Sequence, residues 1–192
     1  MLRTIRYIYR IPVDQLNLSD AVDLIKPAFA RTRHAQTWAD LGAGSGMFTR
    51  ALASVLPKGS VIHAVDKKRQ AIEEIFNDNA IIFHELDFSS GVLPLTSLNG
   101  ILMANSLHFI EEKQRLIGSL KAHLTRNGQL MAIEYEMGTP NAWVPYPIPW
   151  SSLRALLHRA GFENLRVVGE RASAYGSRKM YACVGMLSAN QM

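Results

Sequence analysis

Three glycines stand at alternate positions, Gly42, Gly44 and Gly46, directly after the segment 37–41, which contains Asp40. Glycine lets the backbone turn sharply and approach a ligand closely, because no Cβ atom stands in the way. The turn is therefore a candidate binding surface for a nucleotide-type cofactor. The alternative is a glycine turn that only packs the following helix against a sheet.

A further acid, Asp66, ends the β-branched run 60–66, about 20 residues beyond the glycines, as in Rossmann-type folds. A carboxylate there can accept hydrogen bonds from both hydroxyls of a ribose at once. Asp66 could also cap a helix over residues 67–75, and the two roles are compatible. NAD enzymes share a ribose-binding acid, so Asp66 indicates nucleoside binding without choosing the cofactor.

Polar residues follow the apolar segment 98–104, namely Asn105, Ser106 and His108. A histidine that titrates near pH 7 can take a proton from an attacking hydroxyl or amine. His108 is therefore a candidate general base. It could instead begin a helix and pack under the loop.

The elements that must position these residues alternate between strand and helix patterns. Strands are predicted at 37–41, 60–66, 80–88, 98–104 and 129–136, with a closing pair at 163–169 and 179–186. Helices are predicted at 19–29, 47–56, 111–124 and 150–162. With 192 residues, of which 48% are hydrophobic, the chain can bury a full core, so one domain over 1–192 is expected.

The ordered set of Asp40, the glycine turn, Asp66 and Asp87 resembles the motifs of the class I S-adenosylmethionine (SAM) methyltransferases. The Gly-x-Gly-x-x-Gly fingerprint of dinucleotide-binding folds requires its third glycine at position 47, where this chain has Met47. The resemblance covers residues 19–186. It implies an α/β fold with a Rossmann-like, seven-stranded, mostly parallel sheet, an antiparallel last strand and helices on both faces.

The resemblance also implies roles for particular residues. Asp40 suits the cationic amino group of SAM, Asp87 would accept from the adenine amine, and the Phe88 N–H would face a ring nitrogen. Asp87 could equally be a solvated loop acid. The implied cofactor-binding set is Asp40, Gly42, Ala43, Gly44, Ser45, Gly46, Asp66, Lys67, Asp87, Phe88, Asn105 and Ser106.

The acceptor is expected at the aromatic and proline-rich segment of about 137–150, because ligands of open α/β sheets bind beyond the carboxyl ends of the strands. Substrate-side candidates are Glu134, Tyr135, Trp143 and Tyr146. A loop that only packs on the core is the alternative, since its prolines also confer rigidity. No metal site is predicted, because no convincing cluster of ligands is present.

The net charge of +5 raises the question of nucleic acid, but the charges are dispersed along the sequence. The only tight basic run, residues 67–69, reads more readily as a solvated surface than as a nucleic-acid contact. Residues 105–108 lack the Pro-Pro-aromatic element typical of nucleic-acid amine methyltransferases. A small-molecule acceptor is therefore expected, nucleic acid is disfavoured, and a homodimer stays open.

The single cysteine, Cys183, excludes an internal disulfide and favours a cytoplasmic protein. Residues 1–18 form an N-terminal extension whose charges interrupt every apolar pair, so neither a signal peptide nor a membrane anchor is predicted.

The expected activity is in-line transfer of a methyl group from SAM to an unidentified acceptor, with S-adenosylhomocysteine as product. Two alternatives stay open. One is an NAD-dependent oxidoreductase, and the other is a non-catalytic SAM-binding or partner protein.

Overall fold

The computed structural model describes residues 16–90, 93–172 and 179–189. Its strands are β1 (Thr37–Leu41), β2 (Val61–Asp66), β3 (Ile75–Phe76), β4 (Asn79–Glu85), β5 (Leu98–Ala104), β6 (Leu124–Tyr135), β7 (Phe162–Ala172) and β8 (Lys179–Leu187). Its helices are α1 (Leu18–Ile25), α2 (Met47–Val55), α3 (Lys113–Leu120) and α4 (Trp150–Arg159). Most of the predicted extension, residues 1–15, lies outside the described residues.

The strands form one sheet in the order β3-β4-β2-β1-β5-β6-β8-β7. Strands β4, β2, β1, β5 and β6 are parallel, and β8 enters antiparallel between β6 and β7. The predicted mostly parallel sheet with an antiparallel last strand is thereby confirmed. The described strands number eight rather than seven, because Asn77 and Asp78, both with positive φ, turn the short β3 back onto β4.

Helices cover both faces of the sheet, as predicted. One apolar cluster joins α1 and α2 to the sheet through side chains such as Leu24 and Leu52. The other joins α3 and α4 through Ile117, Leu120 and Leu153. Burial on both faces explains why the central strands are apolar throughout rather than alternating.

The first helix begins one residue earlier than predicted and ends sooner. Asn17 caps it, because the Asn17 side chain accepts from the Asp20 N–H at 3.0 Å while Asp20 accepts from the Asn17 N–H at 3.2 Å. The helix becomes a 3-10 turn at Lys26–Phe29, where Pro27 cannot donate a helical hydrogen bond.

The helix considered over residues 67–75 does not form, and that alternative was wrong. Asp66 accepts from the N–H of Lys68, two residues on, which is a turn geometry and not a helix cap. Residues 67–74 have no regular structure, and Glu73 pairs instead with Arg50 of α2 at 2.6 Å.

Strand β6 starts earlier than the predicted 129–136. Leu98 pairs with Leu124 while Gly100 pairs with Gln129, so residues 125–128 bulge out of the ladder. The longest helix among the described residues, α4, has 10 residues, and no helix in this part of the chain is long and apolar enough to cross a membrane.

Candidate functional site

The glycine turn joins the carboxyl end of β1 to α2, and all three glycines have left-handed backbone angles. Their φ values are 84° at Gly42, 51° at Gly44 and 82° at Gly46. A Cβ atom at Gly42 would lie 2.5 Å from the Cβ of Ser106, so this position has no room for a side chain. At Gly44 no atom lies within 4 Å of that position, so the backbone there faces open space, as a ligand-binding turn requires.

Asp66 fastens this turn to the end of β2. One carboxylate oxygen accepts from the Gly44 N–H at 2.9 Å, and the other accepts from the Lys68 N–H at 3.0 Å. Each oxygen keeps a further lone pair, so Asp66 can still accept hydrogen bonds from a ligand. Lys67, another predicted residue, is exposed beside it.

Asp40 is buried under the turn, with 1% of its surface exposed, rather than lining it. The Thr49 hydroxyl donates to one of its oxygens at 2.7 Å, while Asp40 Oδ1 has no hydrogen-bond partner. Burial raises the pKa of Asp40 from 3.8 to about 7, opposed by the Thr49 hydrogen bond and reinforced by the nearby charge of Asp66. Asp40 therefore has one buried oxygen without a hydrogen-bond partner, in the strand that leads into the glycine turn.

Asp87 and Phe88 follow β4 at the same edge of the sheet. Asp87 is exposed and accepts from both the N–H and the hydroxyl of Ser89, at 2.9 and 2.6 Å. These hydrogen bonds, together with the charge of Lys67, hold the pKa of Asp87 below its usual value. The Phe88 ring lies 3.6 Å from the Cβ position of Gly42, so this segment borders the glycine turn.

Asn105 and Ser106 lie at the end of β5, next to the turn. Asn105 has a left-handed φ of 52° and donates its N–H to Ile133 O at 2.9 Å, while its buried Oδ1 has no partner. The Ser106 hydroxyl donates to Leu41 O at 2.6 Å and so joins β5 to the start of the turn. The unpartnered oxygens of Asn105 and Asp40 are the polar atoms that a ligand could satisfy here.

His108 and Glu134 form a buried pair across β5 and β6. The His108 Nδ1 lies 2.6 Å from Glu134 Oε2, and the His108 N–H donates to Glu134 Oε1 at 3.1 Å. Only 3% of His108 and 1% of Glu134 are exposed. A carboxylate at Nδ1 fixes the ring orientation and leaves Nε2 as the nitrogen that could exchange a proton. The sequence predicted both residues but not their pairing.

The predicted acceptor residues are only partly brought together. The Tyr146 N–H donates to His108 O at 3.0 Å, and the Tyr135 ring lies 6.2 Å from the His108 ring. Trp143 is 84% exposed at the far part of the loop. Phe109, which was not predicted, stacks 4.4 Å from the His108 ring.

Lys113 is a further residue that the sequence did not single out. Its ammonium donates to Ile110 O at 2.6 Å and lies 5.5 Å from the Tyr146 ring centroid. Burial lowers the pKa of Lys113, although the Glu134 charge opposes this. The helical pattern of 111–124 did predict a buried face, but it gave no sign that a lysine would lie there.

No cluster of three or more metal-binding side chains occurs within the described ranges. Polar groups stand at the carboxyl ends of β1, β2, β4, β5 and β6, beside a glycine turn whose backbone is open at Gly44.

Residues 39–130 match the family model for methyltransferase domains. This part of the chain, just under half of its 192 residues, therefore resembles a methyltransferase domain. The matched range includes the glycine turn, Asp66, Asp87 and His108, and it ends before Glu134. No curated protein sequence matches the chain.

Solved structures share the fold of this chain at low sequence identity. The YcgJ protein from Bacillus subtilis has a TM-score of 0.64 and 12% identity over 88% of this chain and 99% of that chain. A second structure is a Burkholderia thailandensis 1,6-didemethyltoxoflavin-N1-methyltransferase with bound 1,6-didemethyltoxoflavin and S-adenosylhomocysteine. It has a TM-score of 0.67 and 16% identity over 91% of this chain and 80% of that chain. Human N-acetylserotonin methyltransferase in complex with SAM has a TM-score of 0.60 and 17% identity over 89% of this chain and 55% of that chain, so this chain spans about half its length.

Proposed function

We propose that this chain is a SAM-dependent methyltransferase that acts on a small molecule and uses His108 as general base. One observation carries the proposal: the left-handed glycine turn, Asp66 and the His108–Glu134 pair converge at the carboxyl edge of one sheet. The matched methyltransferase domain supports the same conclusion. It also disfavours the NAD-dependent alternative.

The residues at this edge suit SAM in charge and hydrogen bonding. Asp66 accepts from the ribose hydroxyls, Asp87 accepts from the adenine amine, and the open backbone at Gly44 gives the cofactor room. We place the cationic methionyl part next to Asp40 and Asn105, because each has a buried oxygen without a hydrogen-bond partner. When bound, the sulfonium cofactor supplies an electrophilic methyl group that an acceptor atom displaces in line.

His108 takes the proton from the acceptor hydroxyl or amine at Nε2. Glu134 is a positioning residue, because it holds Nδ1 at 2.6 Å and stabilises the imidazolium that forms. Both side chains are almost fully buried, so the pair is already shielded from bulk water.

The acceptor site is formed by the segment of about 137–150 together with Tyr135, Trp143 and Tyr146. Tyr146 anchors this segment to His108 through its backbone N–H and to Glu111 through its hydroxyl at 3.2 Å. The toxoflavin and N-acetylserotonin enzymes, which share the fold, are named for small-molecule acceptors. The single-domain organisation over 1–192 stays a prediction.

A second candidate function is a non-catalytic SAM-binding protein. It is favoured by the burial of His108 and Glu134, since a pair with 3% and 1% exposure could serve only to join β5 to β6.

The test measures binding and turnover separately. Calorimetry with SAM and with NAD reports the cofactor, and transfer of labelled methyl to a panel of hydroxyl and amine acceptors reports the reaction. We expect His108→Gln to lower kcat by about 10²- to 10⁴-fold with the SAM dissociation constant unchanged. Glu134→Gln should lower kcat without raising KM, and Glu112→Gln, an exposed acid at the start of α3, is the matched control.

The outcomes separate the two functions. Heat with NAD but none with SAM would overturn the cofactor assignment. Binding of SAM without turnover on the whole panel would favour the non-catalytic protein. A His108→Gln enzyme with full kcat would remove His108 from the reaction but leave the methyltransferase intact.

A further inference from the structure

Two adjoining clefts lie around the start of β7. The first, of about 1090 Å³, is lined by side chains at the amino end of β1, the start of β7 and the end of β8, including Arg31, Arg33, His34 and Arg166. Its lining contains no acidic residue. Because parallel strands place their carboxyl ends together, this cleft and the candidate methyl-transfer site are on opposite edges of the fold.

The second cleft, of about 660 Å³, shares Asn164 and Leu165 with the first. Its basic side chains are Arg154, His158 and Arg159 of α4. A single acid, Glu163, is present. Together the two clefts therefore present five arginines and two histidines against one carboxylate, and we refer to them as the basic clefts.

The arginines of the basic clefts have no carboxylate partners among the described residues. Arg33 donates to Ala30 O at 3.1 Å, and Arg166 donates only a long contact of 3.5 Å to Asn164 O. Elsewhere in the chain, in contrast, Arg50 and Arg171 are paired with acids at 2.6 and 3.0 Å. The free charge of the basic clefts is thus available to an anionic partner.

The chemistry of the lining favours phosphate groups on a backbone. Arginine binds phosphate through two parallel N–H donors, and neutral donors such as Gln36, Gln129 and Asn164 stand between the charges. No Phe, Tyr or Trp side chain lines either cleft, so the large rings on which unpaired bases usually stack are missing there. None of the exposed large hydrophobic residues among those described lines them either, so an apolar anchor for a lipid surface is lacking.

The width of the surface fits several phosphates. The starts of β1 and β7 are separated by four strand spacings in the order β1-β5-β6-β8-β7, which amounts to about 19 Å. At about 3.4 Å per phosphate along one strand of a duplex, this distance spans roughly five phosphates.

We propose that the basic clefts bind the sugar-phosphate backbone of double-helical nucleic acid. Nucleic acid held there is a docking partner and not the methyl acceptor, since the first cleft lies at the edge of the sheet opposite to His108. The proposal does not depend on the methyltransferase assignment. It also revises the view from the sequence that the positive charge is merely dispersed, because arginines remote along the chain meet in the fold.

The test is fluorescence polarisation with labelled duplexes of about 16 base pairs, one of RNA and one of DNA, and with the matching single strand. We expect the duplex to bind more tightly than the single strand, with affinity falling as salt rises from about 50 to 300 mM. The triple variant Arg31→Gln, Arg33→Gln, Arg166→Gln should bind the duplex roughly 100-fold more weakly. The slope of log K against log salt concentration should also become shallower by about 2.7.

The control variant Lys68→Gln, Arg69→Gln, Arg115→Gln removes the same charge from exposed positions outside the basic clefts. It should retain affinity within about 3-fold. Equal weakening by both triple variants would overturn the proposal, because net charge alone would then explain binding. Binding to anionic vesicles or to polyglutamate, but not to either duplex, would overturn it as well, and so would no binding to any of the probes. The difference between the RNA and DNA arms identifies which helix is preferred.

Discussion

Replacing Asp40 by asparagine should remove a large pH dependence of folding stability. Asp40 is 1% exposed, one of its oxygens has no partner, and burial raises its pKa from 3.8 to about 7. In the unfolded chain the same carboxyl ionises near 3.8. Between these two values the folded protein therefore holds a proton that the unfolded chain has lost.

The sign and size follow from linkage. A folded pKa raised above its unfolded value means that stability falls as pH rises from about 4 and levels off above about 7. A shift of about 3 units at about 1.4 kcal/mol each gives on the order of 4 kcal/mol in all. Of this, roughly 3 kcal/mol should be lost between pH 5 and pH 8.

The assay is urea unfolding of the wild type and Asp40→Asn at a series of pH values from 5 to 8. The cost of placing an amide next to Thr49 is the same at every pH, so it does not change the slope of the unfolding free energy against pH. We therefore compare the slopes of the two proteins and not their stabilities at one pH. Asp87→Asn is the control, because a lowered pKa confines the effect of Asp87 to pH values below about 4. If the stability of Asp40→Asn declined with pH in parallel with the wild type, the argument from burial would be refuted.

Three further changes test the site and the core. Asp66→Ala should weaken SAM binding at least about 10-fold in calorimetry, because hydrogen bonds to a charged group are lost, and an unchanged dissociation constant would remove Asp66 from the ribose role. Gly100→Ala should destabilise the protein by about 1–3 kcal/mol in urea unfolding, since the new Cβ would lie 2.4 Å from the Trp38 ring. Gly118→Ala is its counterpart at an exposed position of α3, where no atom lies within 4 Å of the new Cβ, and should stabilise by about 0.5–1 kcal/mol. A destabilised Gly118→Ala protein would contradict the account of both glycines.

The order of strands and helices could be predicted because most elements carry a local signal. Strand β2 is a β-branched run, and α2 follows a glycine turn with apolar residues at helical spacing. The errors arose where a tertiary contact overrides the local pattern. Residues 67–74 have helical spacing, but Asp66 binds the backbone of the turn and Glu73 binds α2, so the segment is irregular. The two-residue β3 is too short to leave a pattern.

The candidate site also contains residues that a local motif indicates and residues that only the fold brings together. The glycine turn and Asp66 were predictable because each belongs to a contiguous motif. The His108–Glu134 pair was not, because it depends on the register in which Ala104 pairs with Ile133 and so places the residues after β5 beside Glu134. The basic clefts were hidden for the same reason, since their arginines come from a loop, a helix and an edge strand.

Asp40 and Asp66 lie at the carboxyl ends of neighbouring strands, yet their surroundings differ. Asp66 receives two backbone N–H groups and so holds the turn in place. Asp40 receives one hydroxyl and is otherwise desolvated, so its ionised form is costly in the free protein. A cationic group placed at the unpartnered oxygen of Asp40 would offset that cost, whereas a neutral group of the same shape would not. We therefore expect the proposed site to favour a ligand that carries positive charge beside the glycine turn, as SAM does.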